Sequence, residues 1–143
     1  RTALHCMLFS MCSRSMHTLE LSTLQMTELQ MIACVAPERM PQLRRLSVAR
    51  NLLGDMAVEY LTRNFPRLTH LDVSYNHVGD RGFWLALYRM GPRSTALSFA
   101  FNMRMTRQSL VALRTFLAAR RRCEATGLIV DVRPLIDAYP VQA

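Results

Sequence analysis

The apolar and polar positions of this chain fall into one phrase that is written more than once. Residues 41–55, PQLRRLSVARNLLGD, are followed 25 residues later by PRLTHLDVSYNHVGD at 66–80. Both read Pro-x-Leu-x-x-Leu-x-Val-x-x-Asn-x-apolar-Gly-Asp. Self-similarity at this period indicates stacked units, each too small to bury its apolar face without its neighbours. Weaker copies flank the pair. PRSTALSFAFNMR at 92–104 keeps Pro92, Leu97, Phe99 and Asn102. MHTLELSTLQM at 16–26 keeps Met16, Leu19, Leu21 and Met26, with Leu24 in the place of the Asn. In ATGLIVDV at 125–132, Leu128 and Val130 are expected on the same pattern, with Arg133 at the Asn place. The repeated leucine then stands at 19, 46, 71, 97 and 128, and the last unit carries an insertion.

Each unit changes period halfway. Leu46–Val48, Leu71–Val73, Leu97–Phe99 and Leu128–Val130 alternate with period two, which predicts a short strand. The Asn that follows can bond main-chain groups as the chain turns. Stacked, Asn51, Asn76 and Asn102 are expected to form a buried ladder that satisfies turn amides. Gly54-Asp55 and Gly79-Asp80 supply a turn and a carboxylate for a helix start. Ala57, Tyr60, Leu61 and Phe65 then recur at helical spacing, as do Gly82, Leu85, Ala86 and Met90. In the fourth unit Leu110, Leu113 and Leu117 repeat this, with Phe116 beside them. Thr106 is the expected cap there, and Arg120–Arg122 fall at the negative end of the helix dipole. Pro41, Pro66 and Pro92 each precede a strand motif and are expected to stop the helix before it.

This pattern resembles the leucine-rich repeat, whose strand signature is LxxLxLxxN, over about Met16 to Arg133. The Gly-Asp turn and full helix resemble the ribonuclease-inhibitor-like, intracellular subtype. The unit is shorter than usual for that subtype, and no copy replaces the Asn by Cys as the cysteine-containing subtype does. The resemblance implies a short α/β solenoid with parallel strands on a concave face and helices on a convex face. One domain over 1–143 is expected, with strand motifs near 16–26, 43–53, 68–78, 94–104 and 125–133 and a C-terminal tail at 134–143. It further implies a non-catalytic interaction or scaffold subunit of an intracellular assembly, cytoplasmic or cytoskeletal.

Composition adds one point. The formal charge is +8, and all 18 basic residues are arginine. Arg suits carboxylate, phosphate and interface contacts. An acidic protein partner, an RNA, or a codon bias towards Arg would each account for the excess. The RNA alternative is a peripheral subunit of a ribonucleoprotein such as a mitochondrial ribosome, with Arg44, Arg45, Arg50 and the run Arg120, Arg121, Arg122 meeting phosphate. Residues 1–19 hold Arg1 and Arg14 and no acid before Glu20; they read as a helix of a preceding unit or as a weak mitochondrial presequence. Cys6, Cys12, Cys34 and Cys123 lack metal-ligand spacing and sit in apolar surroundings, which favours a reducing compartment. No apolar run reaches membrane-spanning length.

Candidate chemistry is sparse. His5, His17, His70 and His77 show no spacing tied to a nucleophile or acid, and no Gly-rich phosphate loop is present. No catalytic, cofactor or metal residues are assigned. The expected partner surface is the strand face, where alternation turns Arg44, Arg45, Arg50, His70, Asp72, Tyr75 and Phe101 outwards. Two columns are singled out there: a lane of small residues, Ser22, Ala49, Ser74 and Ala100, and its flank, Thr23, Arg50, Tyr75 and Phe101. His70 and Asp72 share one strand face and could pair. Phe83 and Trp84 either pack or mark a contact with another subunit.

Overall fold

The computed structural model describes residues 14–90, 92–121 and 129–135. Five short strands alternate with four helices. The strands are β1 Thr18–Glu20, β2 Arg45–Ser47, β3 His70–Asp72, β4 Ala96–Ser98 and β5 Ile129–Asp131. The helices are α1 Glu28–Cys34, α2 Asp55–Asn64, α3 Asp80–Met90 and α4 Arg107–Arg121. All five strands pair in parallel in one sheet, in chain order. A parallel neighbour needs a crossover, and each helix-bearing segment supplies one.

The register follows the repeated leucine. Leu19, Leu46, Leu71 and Leu97 lie side by side in successive strands. The next place belongs to Val130 rather than Leu128. The last unit is therefore offset by two residues from the expected alignment. A two-residue slip preserves alternation, so the apolar pattern alone could not distinguish the two registers. With Val130 in place, Val132 and Leu135 enter the core, and Leu135 takes the Asn place expected for Arg133. Leu135 also belongs to the segment expected as a tail, yet it is buried. Leu128 itself lies outside the described residues.

The core forms between sheet and helices. The strand leucines and a second layer of Val48, Val73, Phe99 and Val132 face the helix residues Met31, Leu61, Phe83, Ala86 and Leu110. Ser94 stands where the two best-matched units have Leu43 and Leu68; it is buried, and its hydroxyl donates to the Met90 carbonyl at 2.6 Å.

The three asparagines tie each turn to the one before it. Asn51 Oδ1 accepts from Leu24 N–H and Met26 N–H at 3.1 and 2.9 Å, while its amide donates to the Leu21, Val48 and Ala49 carbonyls. Asn76 does the same one unit on, accepting from Asn51 and Leu53 N–H and donating to Val48, Val73 and Ser74. Asn102 accepts from Val78 N–H and donates to Val73 and Phe99. All three are 4% exposed, so these are bonds that water does not replace.

Carboxylates at the helix starts also reach across units. Thr27 caps α1 locally in a capping box with Gln30. Gly54, before α2, has no side chain to cap with; Glu28 of the preceding unit accepts the Ala57 N–H instead, at 2.6 Å. Asp55 accepts the Gly79 N–H at 2.7 Å. Asp80 accepts from the Thr106 N–H at 2.7 Å and from the Thr106 and Ser109 hydroxyls at 2.5 Å each. A methyl group on Gly82 would lie 2.6 Å from Asp55 Oδ1, so glycine there gives Asp55 room to reach α3. Thr106 caps α4 as expected, through the Gln108 N–H. Pro66 directly follows the Phe65 cap of α2, but Pro41 stops no helix. α1 ends at Cys34, and Ala36–Met40 make a separate turn before Pro41. Among the described residues no helix is long and apolar enough to cross a membrane.

Candidate partner-binding face

The sheet face turned away from the helices presents three rows, set by register. The first strand residues, Thr18, Arg45, His70, Ala96 and Ile129, lie side by side, as do the third, Glu20, Ser47, Asp72, Ser98 and Asp131. Together they line an open trough of about 360 Å³. The second of these rows alternates carboxylate and hydroxyl across all five strands. Each carboxylate is held from two residues further along its own chain. Asp72 accepts from the Ser74 N–H and hydroxyl at 2.9 and 2.6 Å. Glu20 accepts from the Ser22 N–H at 3.1 Å and from its hydroxyl. Asp131 accepts from the Arg133 N–H and guanidinium, with a salt bridge at 2.8 Å. The Arg133 hydrogen bond leads the causes that hold the Asp131 carboxyl below its ordinary pKa.

The third row is the flank singled out from the sequence. Thr23, Arg50, Tyr75 and Phe101 have φ of 62°, 57°, 56° and 58°, so a left-handed residue stands three positions after the end of each of β1 to β4. This conformation is costly for bulky and β-branched residues. After β2, β3 and β4 it turns the chain so that the following Asn is buried, and there it brings Arg50, Tyr75 and Phe101 onto one another. Arg50 lies 4.0 Å above the Tyr75 ring centroid, and Tyr75 stacks on Phe101 at 4.6 Å with planes 15° apart. Arg133 closes the series 5.8 Å from the Phe101 centroid. The result is a continuous cation–π and aromatic stack across four units.

The remaining candidates fall as follows. Arg44 and Arg45 are exposed together at the start of β2, on the far side of Ser47 from Arg50. The carboxylate row runs between them, so the three arginines form no continuous basic patch. His70 and Asp72 do not pair: the His70 ring meets the Thr69 and Thr95 hydroxyls at 2.9 and 3.1 Å, and Asp72 turns to Ser74. Desolvation first, and then the charge of Arg45, push the His70 pKa down. The small-residue lane is not an approach path. Ala49, Ser74 and Ala100 are buried, since the strands end two residues earlier and the chain has already turned inwards. Arg120 and Arg121 close α4, and Arg122 lies outside the described residues, as do His5, Cys6, Cys12 and Cys123. Phe83 is fully buried and Trp84 is half exposed.

Sequence reasoning passed over Glu20, Asp131 and Arg133 as members of this face. Alternation alone would have turned Glu20 and Asp131 outwards. Arg133 was hidden by the offset register, which assigned it to the buried Asn place. Among the described residues no three His, Cys, Asp or Glu side chains converge as a metal site would require. No family model matches this chain, and no curated protein matches it either.

Proposed function

We propose that the chain is an interaction module of the leucine-rich-repeat type, without catalysis, that holds a partner protein across the outer face of its sheet as part of a larger assembly. The observation that carries this reading is the layered face itself: a carboxylate–hydroxyl row between an Arg45–His70 row and a pre-stacked Arg50–Tyr75–Phe101–Arg133 row. The asparagine ladder beneath favours the repeat assignment, because each Asn accepts an N–H from the unit before it and donates to carbonyls of that unit and its own. Tyr and Arg are enriched where interfaces draw their energy, and a stack already ordered before binding loses little entropy on contact. The carboxylate row disfavours a polyphosphate across the centre of this face, which weighs for a protein partner over RNA.

The test is co-purification of the full chain with its partners. Asp72→Arg reverses one charge of the central row, and Tyr75→Ala with Phe101→Ala removes the stack. Each variant is expected to lose the same partner, with its folding checked by thermal denaturation. A partner set unchanged by both variants would overturn the sheet-face reading. RNA retention that falls steeply with salt would support a nucleic-acid role in its place.

A further inference from the structure

The helix layer carries a second surface, on the side opposite the sheet face. On α3, Trp84 and Tyr88 are 50% and 69% exposed, and their rings stack 5.3 Å apart with planes 5° apart. They are four residues apart on the helix, which aligns them on one stripe. The adjacent stripe, Phe83, Leu87 and Met90, already fills the core, so packing among the described residues does not account for the outer pair. Across from them on α4 stand Val111, 53% exposed, and the half-buried Ala112 and Phe116.

These side chains wall a groove. Two hollows of about 300 and 330 Å³ share Trp84 and Ala112. One is closed by Tyr88 and Phe116, and the other is rimmed by Arg81 and Gln108. From Gln108 to Ala119 the groove follows α4 for about 16 Å, roughly three helical turns. A concave apolar channel of this length fits the ridge of another helix.

The charge around it is one-sided. The described side chains of α3 and α4 include four arginines, at positions 81, 89, 107 and 114, and a single carboxylate, Asp80. Asp80 is taken up by Thr106 and Ser109. Glu59 on α2 approaches Arg81 only at 3.9 Å and lies closer to Arg63, at 3.3 Å. A second copy of this chain would set arginine against arginine, and a flat bilayer would leave the hollows empty.

We propose that the α3–α4 groove docks an amphipathic helix of a partner protein, its apolar stripe over Trp84 and Tyr88 and its flanks rich in Asp and Glu. This inference is independent of the sheet-face reading. It adds a second site on the opposite side of the molecule.

Trp84 is the only tryptophan, so its fluorescence reports on this groove alone. The probes are two synthetic helical peptides of about four turns with one leucine stripe, one flanked by Glu and its twin flanked by Lys. The Glu peptide is expected to shift Trp84 emission to shorter wavelength saturably. The Lys twin should bind at least tenfold more weakly, and added salt should narrow the gap. Tyr88→Ser should weaken the Glu peptide about tenfold with the thermal midpoint little changed. The double variant Arg81→Glu, Arg107→Glu should prefer the Lys peptide. Equal response to both peptides, or none, would overturn the proposal. So would a blue shift that appears with rising protein concentration alone, which would mean self-association, or one produced only by phosphatidylserine vesicles.

Discussion

Single residues do two kinds of work here, and the asparagines do the more demanding one. Asn76 accepts two N–H bonds and donates to three carbonyls, all buried. Asn76→Ala removes every partner at once and should cost about 3 kcal/mol, since each buried polar group left unpaired costs roughly 1–3 kcal/mol. Urea denaturation checks this; a loss below about 1 kcal/mol would mean that water or a relaxed turn replaces the ladder. The flank residues show the opposite balance. Arg50, Tyr75 and Phe101 hold a strained backbone but gain a stack from it, whereas Thr23 has the same φ and no ring beside it in the series. Asn tolerates the left-handed region, so Thr23→Asn should raise stability, by about 0.5–1 kcal/mol. A lowered thermal midpoint would show that Thr23 has a role that its backbone conformation does not reveal. The asparagine role was legible from the sequence because one residue type recurs at one place. The left-handed flank was not, because Thr, Arg, Tyr and Phe share no chemistry that marks a positive φ.

At the level of elements, the helices depend on their predecessors. Asp55 and Asp80 were legible as helix-start carboxylates. That each reaches forward into the next unit was not, because nothing in sequence spacing says whether a carboxylate turns to its own N-terminus or to a neighbour's. Gly82 shows the geometry in reverse. Gly82→Ala would drive a methyl into Asp55 and the Val78 side chain, 2.6 and 2.7 Å away. Overpacking of this kind costs about 1–3 kcal/mol, and it should here loosen the Gly79 contact as well. Asp80 adds a pH dependence. Desolvation, the largest influence, pushes its carboxyl up, but the bonds from Ser109 and Thr106 together outweigh it and leave the pKa below the ordinary 3.8. A carboxyl lowered on folding stabilises the fold fully above its unfolded value, and that contribution disappears as pH falls through the folded value. Thermal midpoints of the native chain and Asp80→Asn should therefore differ at neutral pH and converge in strong acid. A difference independent of pH would assign the effect to lost shape rather than lost charge.

For the whole molecule, what matters is that contact is local along the stack. Each strand packs beside the next strand in order and each helix beside the next helix, and among the described elements no contact skips a unit. The internal repeat made this architecture legible, and the two-residue offset of the last strand was the part it could not specify. A stack coupled only through nearest neighbours has stability that is a sum of unit and interface terms, so damage should spread outwards from its site instead of unfolding everything at once. Asn76 offers a sharp case, because its oxygen serves Asn51 and Leu53 in the unit before it and its amide serves its own turn. In hydrogen exchange, Asn76→Ala should cost the amides of Asn51 and Leu53 their protection first. The β2–β3 ladder should follow, while Leu21 N–H and Phe99 N–H, bonded to Ser47 and Asp131 in the outer strand pairs, change less. Thr106 N–H, held by Asp80 rather than by an asparagine, should keep its protection longest on the helix side. A uniform loss at all these amides would mean that the five strands open as one cooperative body, and that the shared apolar core, not the ladder between units, sets the size of the folding unit.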